Sequence, residues 1–202
     1  MDNRRVSYNG STAVFQTVGR GSIPRTRSLN MKNKITIHDT NGKEFEVDTD
    51  KLSWRPSVYG VLIENDSVSL SKQFDGYDFP GGGVNLDETL QEACAREVLE
   101  ETGIFVEVLE PIYCSTSFFN PSHSAKHKNE YWNCPLIYFF VKKVGGEISK
   151  DGFDEEEKEY ADIAEWVSLD KADQIKYINS VDLVDNKKII NKAKELYSKL
   201  GK

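Results

Sequence analysis

The sequence predicts an α+β fold in which helices are spaced among the strands of a mixed β-sheet, and three observations predict it. Strand-like apolar runs outnumber helical ones along the 202 residues. Two pairs of such runs are joined by tight-turn dipeptides, Asn41-Gly42 and Asn65-Asp66. The helical stretches do not alternate regularly with strands, so the layering is α+β or α/β/α rather than a repeated βαβ unit.

In chain order, residues 1–30 hold five arginines and one acid, Asp2, with no lasting apolar period. They are expected to be a basic, disordered extension. Either the native chain starts at Met31 and the rest is a leader added for expression, or this is a true basic arm. Residues 31–54 form a hairpin lead-in, with Ile35 and Ile37 alternating with polar neighbours and Phe45 and Val47 on the return. SVYGVLIEN (57–65) and SVSLSKQF (67–74) are a second strand pair. YDFPGGGV breaks into a glycine run, and a helix is expected from about Leu86 to Thr102. FVEVLEPIYCSTSFF and CPLIYFFVKK are β-rich and flank a polar loop. The acidic stretch DEEEKEYAD precedes a short strand, IAEWVSL. Helical patterns at 170–178 and 182–200 close the chain, the second with lysines in its last turn, where the helix dipole favours them.

Composition narrows the function. A net charge of −7 gives no overall attraction to nucleic acid or an anionic membrane, and neither is an expected partner. A polyanionic ligand stays possible, because a bound divalent cation reverses the local field. No apolar run is long enough to cross a membrane, and the N-terminus lacks an apolar signal core. Cys94, Cys114 and Cys134 have neither knuckle spacing nor an even count, so they are expected as small buried apolar residues in a reducing cytoplasm.

The chemistry concentrates on the 86–102 helix. Asn85 with Glu88 suggests an N-terminal capping pair, and Gly103 a left-handed C-cap. Leu90, Ala93, Cys94 and Val98 form an apolar stripe, and Glu97 and Glu101 continue it, with Glu100 alongside. Carboxylates at such spacing repel one another, and burial penalises their charge. A positive partner is required. Arg96 alone does not balance three glutamates, whereas a hard divalent cation such as Mg²⁺ does. Immediately upstream, Pro80-Gly81-Gly82-Gly83 lets backbone approach an ion or a phosphate closely.

Gly82, five residues, Glu88, seven residues, Arg96-Glu97-Val98, one residue, Glu100-Glu101, one residue, Gly103-Ile104: this resembles the Nudix box at every defined position. Ala164-Glu165-Trp166-Val167 is similar to a strand found late in that family's fold. The resemblance implies a Nudix fold over about 55–170: an α/β/α sandwich around a mixed sheet, preceded by the N-terminal hairpin and followed by a C-terminal helical segment, 171–202. It also implies hydrolysis of the diphosphate in a nucleoside diphosphate-linked small molecule, by water attack on phosphorus aided by Mg²⁺ or Mn²⁺. Glu97, Glu100, Glu101 and a backbone carbonyl at Gly81 or Gly82 would be ligands. Arg96 would orient a glutamate, and Glu88 would support the loop. The general base would be either a glutamate of the box or a carboxylate of the late acidic loop, where Glu159, with Glu157 behind it, is the candidate. Phe118, Phe119 and Trp132 are candidates for stacking on a base, and His123, Lys126, His127 and Lys128 for meeting phosphates. Tyr77 and Trp54-Arg55 are further pocket candidates. An 8-oxo-dGTP-like nucleotide or ADP-ribose-type nucleotide sugar is the expected substrate. Alternatives are a non-catalytic nucleotide-sensing module, or an RNA 5′ end recruited by the basic arm. Many relatives pair, so a homodimer is possible.

Overall fold

The computed structural model describes residues 33–73, 76–124, 126–149, 161–178 and 184–200. The basic extension, Glu157 and Glu159 lie outside the described residues. The expected N-terminal hairpin is present as β1 (Lys34–Asp39) and β2 (Glu44–Asp48), paired antiparallel. A short 3₁₀ turn (Thr49–Lys51) leads into β3 (Leu52–Trp54). β4 (Ser57–Glu64) and β5 (Ser67–Gln73) are the second hairpin, with Asn65 and Asp66 both left-handed at its turn. Then follow β6 (Gly76–Asp78), β7 (Gly81–Gly83), helix α1 (Leu90–Thr102), β8 (Ile104–Asn120), β9 (Tyr131–Gly146), β10 (Ala161–Ser168) and helix α2 (Asn186–Lys199).

The strands join in the order β10-β5-β4-β9-β8-β1-β2, with β3 on β9, β6 on β5 and β7 on β4. The sheet is mixed: β4 runs parallel to β9 and β1 to β8, while β8 and β9 are antiparallel. Pro111, which has no N–H to donate, sits where the β8–β9 register shifts.

Strand alternation sorts the core into two faces. Val58 and Leu62 of β4 and Phe139 and Val141 of β9 pack with Ala93, Cys94 and Val98 of α1. Val61, Ile63, Tyr138 and Phe140 of the same strands pack with Ile189, Ile190 and Ala193 of α2. This is the anticipated α/β/α layering. Each fully buried Val, Leu, Ile or Phe among them contributes about 1.5–3 kcal/mol.

Three readings change. Helix α1 starts at Leu90, not Leu86, because Thr89 and Glu92 form the capping box. Glu88 still accepts from the Asn85 N–H at 2.7 Å, but inside the preceding turn. Residues 170–178 form turns rather than a helix; a bridge of Tyr77 to Tyr177 holds the segment against β6. Cys94 and Cys134 are buried as expected, whereas Cys114 is exposed. Among the described residues no helix is long and apolar enough to cross a membrane.

Gly60 sets how closely α1 approaches the sheet. A Cβ there would lie 2.4 Å from a Val98 methyl and 3.6 Å from the Cys94 sulfur. Gly60→Val is expected to destabilise the fold by about 1–3 kcal/mol through overpacking. Urea unfolding checks this, and an unchanged midpoint would contradict the packing described. A second expectation concerns His38, buried on β1 beside Phe119, with its Nε2 3.3 Å from the Ser117 hydroxyl. Burial lowers its pKa from 6.5 despite the opposing pull of Glu44 and Asp39. The neutral ring is therefore the folded form. Its contribution is complete above pH ~6.5 and is lost as pH falls through the folded value. Stability should decline more steeply below pH 6.5 in the wild type than in His38→Gln, measured by melts at several pH values.

Candidate active site

The carboxylates of α1 are organised by one guanidinium. Arg96 Nη2 and Nε donate to the two Glu88 oxygens at 2.6 and 3.0 Å. Its Nη1 donates to Glu97 at 2.8 Å and Glu100 at 2.9 Å, and Nη2 also reaches the Gly83 carbonyl at 3.1 Å. Arg96 holds the Glu88 carboxyl below its ordinary pKa, and these contacts push the guanidinium's own pKa up. Glu101 points the other way, accepting from the Ser71 hydroxyl of β5 and from the Gly81 N–H at 3.4 Å. Glu97 and Glu101 are 8% and 7% exposed, so the stripe that turns acidic does so in the buried layer.

The glycine run makes room for this cluster. At Gly82 a Cβ would lie 2.6 Å from a Glu97 oxygen, and at Gly83 it would strike the Arg55 guanidinium at 2.4 Å. The close approach the sequence suggested is to the chain's own charged groups.

Two adjoining cavities meet here. One, about 490 Å³, is walled by Gly81–Gly83, Arg96, Glu97, Glu100 and Glu101, with Lys126 and His127 from the β8–β9 loop also lining it. The other, about 420 Å³, includes Tyr59, Phe119, Trp132, Leu136 and Cys134. Arg55, Tyr59, Gln73, Asp78, Phe119, His123 and Trp132 line both. Arg55 stacks on Trp132 at 4.2 Å, a cation–π contact at the junction. Trp132 donates to Glu130 at 2.7 Å, and His127 binds the same carboxyl at 2.8 Å. These two hydrogen bonds lower the Glu130 pKa. Burial and the nearby Asp78 raise the Tyr59 phenol well above its usual value, so it stands as an O–H donor at neutral pH.

The structure thus brings Arg55, Phe119 and Trp132 beside Glu97, Glu100, Glu101, Arg96 and Gly81. Phe119 and Trp132 belong to β8 and β9, not to the loop between them. Tyr77 stands apart, donating to Glu165 at 2.9 Å, and Trp54 is 69% exposed. Sequence reasoning missed Tyr59, Gln73 and Asp78. Asp78 alone had a local signal, two residues before Pro80-Gly81.

A divalent cation can be tested against this donor set. Among the described residues no three His, Cys, Asp or Glu side chains form a metal-holding group as they stand, since Glu97 and Glu100 turn onto Arg96 and Glu101 onto Ser71. The donors nevertheless suit a hard ion. They are all oxygens, two are buried, and one arginine faces Glu88, Glu97 and Glu100 together.

A NUDIX domain family model matches residues 54–184. An RNA pyrophosphohydrolase from Stenotrophomonas maltophilia (strain K279a) is 33% identical over 102 residues, covering 46% of this chain and 50% of that protein. One from Xanthomonas oryzae pv. oryzae (strain MAFF 311018) is 34% identical over 103 residues, with the same coverage. The chain spans about half the length of the curated relatives it matches. A NUDIX hydrolase from Nitrosomonas europaea superposes with a TM-score of 0.51 at 18% identity, over 73% of this chain and 90% of that one, a likeness of fold. The matched segment contains the glycine run, the whole of α1 and the carboxylate wall, and the chain belongs to the Nudix family.

Proposed function

We propose that this chain is a pyrophosphohydrolase that cleaves the diphosphate of a nucleoside diphosphate linked to a further group. The observation that carries the reading is the junction of an acidic cavity with an aromatic one through a shared wall of Arg55, Tyr59, Phe119 and Trp132. A nucleotide has the same two-part character. In this reading its base lies against Phe119 and Trp132, and its diphosphate points toward α1. Lys126 and His127 offer N–H donors to the phosphate oxygens, and Arg55 sits where the two parts join.

Glu97, Glu100, Glu101 and the Gly81 carbonyl would hold a divalent cation, Mg²⁺ or Mn²⁺. Such an ion neutralises the diphosphate and acidifies the attacking water. Arg96 orients Glu97 and Glu100, and Ser71 orients Glu101. Water adds to one phosphorus, the bridging P–O bond breaks, and two phosphate-bearing products leave. Glu159, in the acidic stretch before Trp166, is our candidate for taking the water's proton. An 8-oxo-dGTP-like nucleotide and ADP-ribose or another nucleotide sugar are the substrates we favour. The relatives named RNA pyrophosphohydrolases make RNA a further substrate to include in the comparison.

The test is a panel of these substrates with Mg²⁺ or Mn²⁺, comparing wild type with Glu100→Gln and Glu101→Gln. Each substitution is expected to reduce kcat on the order of 100-fold with the fold intact. Wild-type rates in both variants would refute the assigned roles. Nucleotide binding without product from any substrate would replace the enzyme with a sensing module. Calorimetry should also show uptake of Mg²⁺ or Mn²⁺ in the presence of a non-cleavable diphosphate analogue. Absence of uptake removes the metal from the proposal.

A further inference from the structure

The aromatic cavity has a wall that the family match does not supply. Thr40 and Asn41, at the tip of the β1–β2 hairpin, line it together with Arg55 and Trp132, and both precede residue 54. Three observations fix the tip there. β1 pairs in parallel with the end of β8, His38 opposite Phe119 and Asp39 opposite Asn120, so the hairpin turns beside an aromatic wall residue. The Asp39 carboxylate accepts from the Asn41 and Lys43 N–H groups at 2.8 and 3.0 Å, setting the turn. Thr40 Oγ1 lies 2.8 Å from His123 Nδ1 and accepts from the Ser122 hydroxyl at 3.3 Å. The same loop is stapled from below, where Asn120 Nδ2 donates to the Lys128 and Glu130 carbonyls at 2.9 and 2.8 Å.

We infer that this hairpin tip is a specificity-determining element for the nucleoside, with Asn41 reading a polar edge of the base or ribose and Thr40 positioning the 121–130 loop through His123. The inference rests on the nucleotide reading of the site and adds who selects the nucleoside. Asn41 suits the task chemically. Its backbone N–H is taken by Asp39, while its side-chain amide carries both donors and an acceptor at the cavity wall. A hydrogen bond of this kind discriminates through the penalty of leaving a polar group unpaired. The carboxylates of α1 are not part of the tip, so its effect belongs to nucleoside binding rather than to the bond-breaking step.

The experiment compares wild type, Asn41→Ala, Thr40→Val and Thr40→Ser in the full chain. It uses calorimetric binding of AMP, GMP, CMP and UMP, alongside turnover of the best panel substrate and of methyl diphosphate, which lacks a nucleoside. Asn41→Ala is expected to weaken the preferred mononucleotide about three- to tenfold and narrow the differences among the four. It should raise KM for the nucleotide substrate and leave kcat and methyl diphosphate turnover unchanged. Thr40→Val should raise KM likewise, and Thr40→Ser should restore it. Unchanged mononucleotide affinities in Asn41→Ala overturn the inference. So does an equal loss on nucleotide and methyl diphosphate in Asn41→Ala, which would mark a structural role. Mononucleotide binding that responds to Asn41→Ala, in a protein that turns nothing over, would refute hydrolysis and keep the inference. If wild type binds no mononucleotide, the inference falls, while turnover of the panel still decides the hydrolase reading.

Discussion

One guanidinium set among three carboxylates is the constraint on which the site depends. Burying a carboxylate without a partner drives it to take up a proton, and removing one member of a buried pair costs more than the pair contributes. Arg96 gives Glu88, Glu97 and Glu100 a shared hydrogen-bonding partner, with all three of its nitrogens engaged, although its single charge does not neutralise all three. Arginine is suited to this and lysine is not, because a planar fork serves several acceptors in fixed directions while an ammonium is a point charge. The Gly83 carbonyl accepts from the same group, so the glycine turn and the helix are tied by one side chain. Glu101 is held by β5 and β7, through the Ser71 hydroxyl and the Gly81 N–H.

Small residues follow from that arrangement. For Glu97 to lie over β7, residue 82 must lack a side chain, and for α1 to lie on β4, residue 60 must lack one too. The carboxylates are thereby fixed relative to β4 and β9, the same strands that supply Tyr59 and Trp132 to the neighbouring cavity. Packing and site geometry are one problem here. A shift of α1 away from the sheet moves the acidic wall with respect to the aromatic one.

Much of this was legible in the residues, for local reasons. Both hairpins follow from turn dipeptides with alternating neighbours, and the buried acid follows from Glu97 and Glu101 continuing the Leu90–Val98 stripe. The error at the start of α1 is also local. Leu86 looks like a helical apolar residue but is fully exposed, and Thr89-x-x-Glu92 is the stronger capping signal. Residues 170–178 carry a helical pattern that tertiary contacts override, since Tyr177 is committed to β6 and Ala172 to the core. What was not legible depends on pairing between distant segments. No local pattern states that β1 lies parallel to β8, and so none reveals that Thr40 and Asn41 border the same space as Trp132. Tyr59 and Gln73 escaped for the same reason, being strand residues whose partners alone decide which cavity they face.

That division between local and distant also separates chemistry from selection. The acidic wall is encoded in a contiguous run, Gly81 to Glu101, and sits within the family match. The far wall is assembled from β1–β2, β4, β8 and β9, and its hairpin lies before that match. A contiguous motif tolerates change elsewhere, so relatives can share the acidic wall and differ at the other end of the cavity. The matched region covers the whole acidic wall and the β4, β8 and β9 side of the aromatic one, but not its hairpin. Under the proposed nucleotide reading, selectivity is therefore to be sought around Thr40, Asn41 and His123, where the hairpin meets the β8–β9 loop, rather than along α1.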